Sequence, residues 1–505
     1  MRRREQTGLI GWLLRSLACS VLLATLCAAP GLLGAPAALA RAARPQPAPL
    51  RVSVEGAQAG PPVAPGFLGL SFEVSNLAQI ASYADSGDMV ALLRSLGAGV
   101  LRFGGVSADT RVAWTDEETP RPAWASSIID PEELRELAQL ADRSGWRVLL
   151  TIGLGHYEPE AAAREAAAAK AALGESLEAI ELGNEPDAYA LHGLRSQPWT
   201  IVQYAEQIAT YRNAIDAAAP GLALAGPDVS GSGAFETWGL AEVVDQPPAL
   251  LTGHHYPLGC GDSPSPTIAE LLSAKIRRRE AASLLRYTSL IGLSEIPFRL
   301  DEANTVSCGG SAGISNTFAA ALWATDYVAR AMSVGVNGIN LEGNPANCEG
   351  YSPLCAPTPE DLATGALGAQ PEWYALLLLR GLVGERALGS TTSPPGHPNV
   401  DVTTFLASDG TLHFVIVDDD SPGARDVPLG LQVGNNFGDA RILALRAPSP
   451  ASTTGVSLGG RSVQGDGAWN EPRQLPHAPN RHGLITVEIP PNSAALLSVP
   501  AVHRG

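Results

Sequence analysis

The chain has 505 residues, 45% of them hydrophobic and 17% charged, a balance that excludes intrinsically disordered, collagenous and coiled-coil proteins. Its net charge of -17 repels phosphate backbones and sulfated polymers, which argues against nucleic acid as a partner. At roughly 150 residues per domain, the length admits about three domains, or one large barrel with a smaller companion.

Residues 1–40 read as an export signal: Arg2, Arg3 and Arg4, an apolar stretch from Leu17 to Ala29, then the small-residue pattern Ala38-Leu39-Ala40 before Arg41. Pro30, Gly31 and Gly34 interrupt the apolar stretch, against a membrane anchor. Cleavage is expected to leave a secreted chain of charge -20, since the leader carries four arginines and one glutamate. No membrane association is expected afterwards. Cys19 and Cys27 leave with the leader, and Cys260, Cys308, Cys348 and Cys355 remain. An even number in an exported chain favours two disulfides. Of the three connectivities, Cys260 with Cys308 and Cys348 with Cys355 is the expected one. The spacings lack the close pairs of a metal site, so no metal is expected.

Residues 41–65 contain a strand-like run, Leu50 to Val54. Residues 66–385 alternate short apolar runs with longer segments of helical period, the signature of βα units. Eight candidate strands are Phe67 to Phe72, Gly99 to Phe103, Trp146 to Ile152, Ala179 to Glu185, Leu222 to Gly226, Leu250 to His255, Phe298 to Glu302 and Val336 to Glu342. Between them lie helical segments, among them Pro131 to Ser144 with Asp130 as N-cap, Ala161 to Leu173, Trp199 to Ala218, Ile268 to Thr288 and Ser315 to Ser333. Eight such units fit a (β/α)8 TIM barrel with long loops. A doubly wound sheet would place a glycine-rich phosphate turn after the first strand. Ser71-Phe72-Glu73 stands there instead. In residues 386–505 the helical period stops. Thr403 to Ala407, Asp409-Gly410 and Thr411 to Val417 read as a hairpin with a type I′ turn, and Leu484 to Ile489 with Ala494 to Val499 as a second strand pair around Pro490-Pro491. This segment is expected to be a β-sandwich that also takes the N-terminal strand.

Barrel enzymes carry their catalytic groups at the C-terminal ends of strands. Glu185 ends the fourth candidate strand in Gly183-Asn184-Glu185-Pro186, and Glu302 ends the seventh in Leu300-Asp301-Glu302. Two carboxyl groups across a barrel mouth are what glycoside hydrolysis requires. Asn184 adds an amide for a sugar hydroxyl. Asn470-Glu471-Pro472 repeats the tripeptide after Gly465-Asp466-Gly467 and not after an apolar strand, so it reads as a surface loop. Arg102 ends the second strand, where holding a catalytic carboxylate in its ionised state and serving only as a barrel ion pair are equally open, and it is one of the candidate substrate-binding residues. Tyr256 follows the sixth, placed to orient Glu302. Of the adjacent histidines, His254 reads as a hydrogen-bonded barrel residue. Glu342 ends the eighth strand, where lining the pocket and a structural role are equally open. Trp114, Trp124 and Tyr157 stand near the rim and are candidates to stack on a leaving group.

Asn184-Glu185-Pro186 on strand four with Glu302 on strand seven resembles the clan A retaining glycosidases. The stretch Asp301-Glu302-Ala303-Asn304-Thr305, with Gly309-Gly310 and Ser315-Asn316-Thr317-Phe318-Ala319-Ala320 after it, narrows the likeness to glycoside hydrolase family 79, the β-glucuronidases and heparanase-like enzymes. The resemblance implies Glu185 as acid/base, Glu302 as nucleophile, Glu73 as an acidic ligand for sugar hydroxyls, and no cofactor. It also implies that a tyrosine and backbone N–H groups of the loop after the nucleophile hold a uronate carboxylate. Gly309 stands in that loop, but Val306-Ser307-Cys308-Gly309-Gly310 has no tyrosine. Tyr351, between Cys348 and Cys355, is the candidate substitute. The negative charge argues against heparanase-like cleavage of a sulfated polymer. The expected function is a secreted, exo-acting retaining β-glucuronidase acting on a carbohydrate. The alternatives are a β-xylosidase or β-glucosidase of the same clan and a non-catalytic carbohydrate-binding protein.

Overall fold

The computed structural model describes residues 49–393 and 399–502; the expected leader lies outside them. Eight parallel strands close into a barrel in chain order: β1 (Leu68–Glu73), β2 (Val100–Gly104), β3 (Arg147–Ile152), β4 (Leu177–Leu182), β5 (Leu224–Val229), β6 (Leu250–His255), β7 (Phe298–Ala303) and β8 (Gly338–Glu342). Parallel strands covered by helices outside and packed side chains inside are buried on both faces, so they read as near-continuous apolar runs. β2, β6, β7 and β8 are buried throughout. Polar residues within such strands need partners. Here they include Arg102, Glu181, Asp228, His254 and Asp301, all fully buried.

Local sequence sets the helix boundaries. The helix Pro131–Ser144 starts at a capping box: the Asp130 side chain accepts from the N–H groups of Glu132 and Glu133, and Glu133 accepts from the Asp130 N–H. It stops at Gly145 in the left-handed conformation. The expected helix Ile268 to Thr288 is two helices, Ile268–Leu271 and Ala274–Ser294. Ser273 accepts from the Ile276 N–H at 3.2 Å and so caps a new start. Thr200 likewise starts Ile201–Ala218 two residues later than expected, leaving Trp199 to donate its indole N–H to the Pro186 carbonyl.

The C-terminal part is the expected β-sandwich, and the N-terminal strand belongs to it. Leu50–Pro62 lies between Arg386–Ser393, antiparallel, and Val427–Gln432, parallel. In strand Leu412–Asp418 successive residues serve different cores. Phe414 and Ile416 pack with Leu429, Leu431, Ile485 and Val487 inside the sandwich, while Val415 and Val417 join the core shared with the barrel helices. A period of two on a strand covered on both sides produces this division. The helix Phe318–Ser333 lies in the shared core, and its first N–H groups, on Phe318 and Ala319, donate to the carbonyls of Ser452 and Pro450 at 2.8 Å.

Two details of the sandwich differ from expectation. The hairpin closes at Leu406 opposite Leu412, so its connection is longer than a type I′ turn. Gly410 has φ +84°, but Asp409 is not left-handed; its carboxylate accepts from the Thr411 N–H at 2.9 Å and holds it in the ordinary region. Gly410 N–H donates to Ala407, and Ala407 N–H to Thr411, the pattern of a turn followed by a glycine bulge. Strands Leu484–Ile489 and Ser493–Val499 do not pair with each other. The first joins Val427–Gln432 and the second joins Leu412–Asp418 and Ala440–Arg446. Pro490-Pro491 lacks the N–H groups of a tight hairpin and carries the chain between the two halves.

Disulfides join Cys260 to Cys308 and Cys348 to Cys355. The first ties the loops after β6 and β7; the second closes the loop after β8. Among the described residues no helix is long and apolar enough to cross a membrane.

Candidate active site

A cavity of about 820 Å³ opens at the C-terminal end of the barrel, lined by Glu73, Asn184, Glu185, Tyr256, Glu302, Gly309, Glu342 and Tyr351 among others. Seven of the eight residues expected to meet or transform the substrate are therefore together. The eighth, Arg102, is a correction: it is 0% exposed and lies beneath the cavity floor, so it does not touch a ligand. Trp114, Trp124 and Tyr157 do not line this cavity either. Trp124 stacks on His156 at 3.7 Å, and Trp114 and Trp124 border a separate small cavity beside the helix Pro159–Leu173.

Arg102 is the electrostatic centre. Its guanidinium donates to Glu302 Oε2 at 2.6 Å, Asp228 Oδ2 at 2.8 Å, Asn184 Oδ1 at 2.9 Å and Glu181 Oε2 at 3.3 Å, and Asp301 Oδ2 lies 3.3 Å from its Nε. Burial opposes its charge, but these carboxylates hold its proton more firmly than usual. The same burial pushes Glu181 and Asp301 up to about 7 and Asp228 to about 6, despite Arg102. Asp228, His254 and Asp301 offer three atoms within 4.8 Å of one another, a spacing that suits a metal. The Arg102 guanidinium and the His254 ring already engage these carboxylates, so the cluster does not fit a metal ion.

His254 was not expected in this role. Its Nε2 contacts Asp228 Oδ1 at 2.5 Å, and its Nδ1 lies 3.1 Å from Glu185 Oε1 and 3.8 Å from Glu302 Oε1. Both ring nitrogens face carboxylates, which only a doubly protonated imidazole satisfies with donors. Burial disfavours that cation, but Asp228 and Glu302 outweigh it and raise its pKa well above the ordinary value. His255 points outward, where it contacts Glu280 at 3.2 Å and stacks on Tyr327.

Glu302, next to last in β7, has both oxygens engaged, Oε2 by Arg102 and Oε1 by the Tyr256 hydroxyl, which donates at 2.7 Å. Burial pushes its pKa up; the His254 and Arg102 charges and the Tyr256 hydrogen bond more than reverse this and hold it below the usual carboxylate range. Glu185 is not a strand residue. β4 stops at Leu182, and Gly183 (φ +79°) and Glu185 (φ +49°) turn the chain over the barrel mouth. A side chain at Gly183 would meet the Tyr189 hydroxyl at 2.5 Å. Asp109 secures this turn: it accepts from the Asn184 N–H at 2.9 Å, the Tyr189 hydroxyl at 2.7 Å and the Leu154 N–H at 2.7 Å. Nothing near Asp109 in the sequence announces that function.

The disulfide-bearing loops build part of the cavity wall. Gly309 N–H donates to the Tyr351 hydroxyl at 3.0 Å, and Tyr351 N–H returns a bond to the Gly309 carbonyl. Gly310 (φ +87°) permits the approach, since a Cβ there would lie 2.4 Å from the Tyr351 nitrogen. Tyr351 and Tyr256 hydroxyls are 3.4 Å apart. On β1, Glu73 accepts from the Ser107 N–H at 2.8 Å.

No protein-family model matches the chain. Over 335 residues it is 28% identical to a β-glucuronidase of Neurospora crassa, an alignment covering 61% of this chain and 55% of that protein's length. A β-glucuronidase of Aspergillus niger is 24% identical over 382 residues, covering 66% of this chain and 68% of the relative. These relatives bear out the likeness to glycoside hydrolase family 79. Among solved structures, a 4-O-α-L-rhamnosyl-β-D-glucuronidase from Fusarium oxysporum superposes with a TM-score of 0.70 at 17% identity, covering 89% of this chain and all of that one. A family 51 arabinofuranosidase from Xanthomonas axonopodis pv. citri gives 0.64 at 13% identity, covering 89% of this chain and 99% of that one. At these identities the two structures support the barrel-and-sandwich fold and nothing finer.

Proposed function

We propose that the protein is a secreted, exo-acting, retaining β-glucuronidase in which Glu302 is the nucleophile and Glu185 the acid/base. The observation that carries this reading is the unequal treatment of the two carboxyl groups: Arg102, His254 and Tyr256 all favour the ionised form of Glu302, whereas among the described residues the Glu185 carboxyl meets only the His254 Nδ1–H. That contact occupies Glu185 Oε1 and leaves Oε2 to carry the transferable proton. Both glutamates lie against one imidazole nitrogen, at 3.1 and 3.8 Å, so their nearest oxygens are at most about 7 Å apart; retaining pairs lie about 5 Å apart and inverting pairs about 6.5–9.5 Å.

In the first step Glu302 attacks the anomeric carbon, the bond to the leaving oxygen breaks, and Glu185 gives that oxygen its proton. Glu302 loses its charge in the ester, and the Tyr256 and Arg102 donors remain around it. In the second step Glu185 takes a proton from water, whose oxygen displaces Glu302 from the same carbon. Two inversions retain the β configuration.

Tyr351 supports the uronate assignment. Its hydroxyl oxygen already accepts from the Gly309 N–H, and the Tyr256 proton is committed to Glu302 at the shorter distance. The Tyr351 proton then has the Tyr256 oxygen at 3.4 Å as its partner among the described residues, a long contact that a sugar carboxylate can replace. The relatives, both β-glucuronidases, support the same sugar, and two disulfides in the chain support secretion. A panel of nitrophenyl β-glycosides tests the reading: release from the glucuronide but not from the xyloside or glucoside is expected. Release from a neutral glycoside alone replaces the uronate assignment with a β-xylosidase or β-glucosidase, and release from none leaves a carbohydrate-binding protein.

A further inference from the structure

Glu342 ends β8 and lines the cavity, yet neither displacement step uses it. It is 4% exposed. Its Oε2 is sealed from solvent and has no hydrogen-bond partner among the described residues, which leaves Oε1, the oxygen the Ser71 side chain also meets, as the one able to reach a ligand. An unpaired carboxylate oxygen at such burial costs far more than the carbonyl oxygen of a neutral acid. A neutral Glu342 therefore carries its proton on Oε1, the oxygen left to meet a ligand in the cavity it lines.

The surroundings agree. Burial acts first on Glu342, then the charges of Glu302 on β7 and Glu73 on β1; Ser71 on β1 and Arg102 on β2 oppose them with less effect. The net result holds its pKa well above the usual carboxylate range. The Glu342 charge in turn raises the pKa of Tyr351 and of Tyr256, which stand on the loops after β8 and β6. Glu342 and the Tyr351 hydroxyl that Gly309 holds line the same cavity.

We propose that Glu342 is a specificity-determining residue that donates a hydrogen bond from Oε1 to the carboxylate of the bound sugar, beside the Tyr351 hydroxyl. The inference rests on the uronate reading of the same cavity. An ionised Glu342 repels a uronate and offers it no donor, so anionic sugar binding fails as Glu342 loses its proton.

Glu342→Gln, which is neutral and keeps a donor, and Glu342→Leu, which keeps neither donor nor acceptor, test this with an aryl glucuronide. The glutamine variant is expected to hold kcat/KM within about threefold of the unaltered protein at acid pH, and the ratio of the two to rise as pH increases. Taking this ratio cancels the ionisations that both proteins share. The leucine variant is expected to raise KM about tenfold or more while kcat changes less than about threefold, the loss of one hydrogen bond to a charged group. A flat ratio across about pH 4 to 9, or an unchanged KM in a folded leucine variant, overturns the inference. The glutamine ratio decides alone if the leucine variant does not fold. Failure of the unaltered protein to turn over any glucuronide is a different result, which removes the functional reading as well.

Discussion

Replacing His254 with glutamine removes the cation that stands between the two glutamates while keeping a donor of similar reach. In the intact site His254 Nδ1 lies 3.8 Å from Glu302 Oε1. Two unit charges about 4 Å apart interact by about 4 kcal/mol at an effective dielectric of about 20, equivalent to about 3 pH units on the acid they stabilise. Arg102 remains 2.6 Å from the other oxygen, and the released Asp228 still holds Arg102, so part of that loss is recovered. The sign follows from the direction of the shift. Glu302 is held below the usual range, must be ionised to attack, and loses a cation in the variant, so the acid limb of kcat/KM should move to higher pH by about one unit or more. An aryl glucuronide with a good leaving group is the substrate for this measurement, because it makes little demand on the Glu185 proton. Tyr256→Phe removes one donor at 2.7 Å and should move the same limb the same way by less. An acid limb unmoved in a His254→Gln protein with native circular dichroism and Tm would refute the role given to this histidine.

Two further outcomes concern stability. Burial raises Glu165 and Glu372 to about 8 in the folded chain, so the native state binds their protons more tightly than the unfolded state. The stability they contribute is whole below about pH 4.5 and is lost as pH rises through about 8; a Glu165→Gln, Glu372→Gln double variant should gain Tm relative to the unaltered protein between pH 5 and 8. A Tm difference that does not change with pH contradicts this. The Cys260–Cys308 disulfide spans 48 residues and Cys348–Cys355 spans 7. By loop entropy, replacing the first pair with serine should cost about 4 kcal/mol and the second about 2.5 kcal/mol; chemical denaturation giving the reverse order rejects the entropic account here.

The barrel was legible because its strands are apolar on both faces and its helices carry their caps in the sequence, as at Asp130. The same uniform burial concealed the side-chain directions. β6 has no polar face to set its register: His254, read as a hydrogen-bonded barrel residue, is one through Asp228, but its place between Glu185 and Glu302 had no local signal. Arg102 was legible as a strand-end cation, but its burial under four carboxylates depends on β4, β5 and β7 meeting inside the barrel, a contact across up to 200 residues of sequence. Asp109 was invisible for a related reason: it acts by accepting backbone N–H groups, and any residue supplies those. In the sandwich the strands were legible from alternation, but Pro490-Pro491 joined two strands that pair with others. Local pattern marks a strand and not its neighbour.

The most direct measurement is peptide mapping by mass spectrometry after treatment with a 2-deoxy-2-fluoro-β-glucuronosyl fluoride, which lets the first displacement proceed and slows the second. The expected result is one 2-fluoroglucuronosyl group per chain, attached to Glu302 and lost on turnover. A label on Glu185, or turnover of aryl glucuronides with an inverted first product and no label on either glutamate, would contradict the double displacement assigned to this pair.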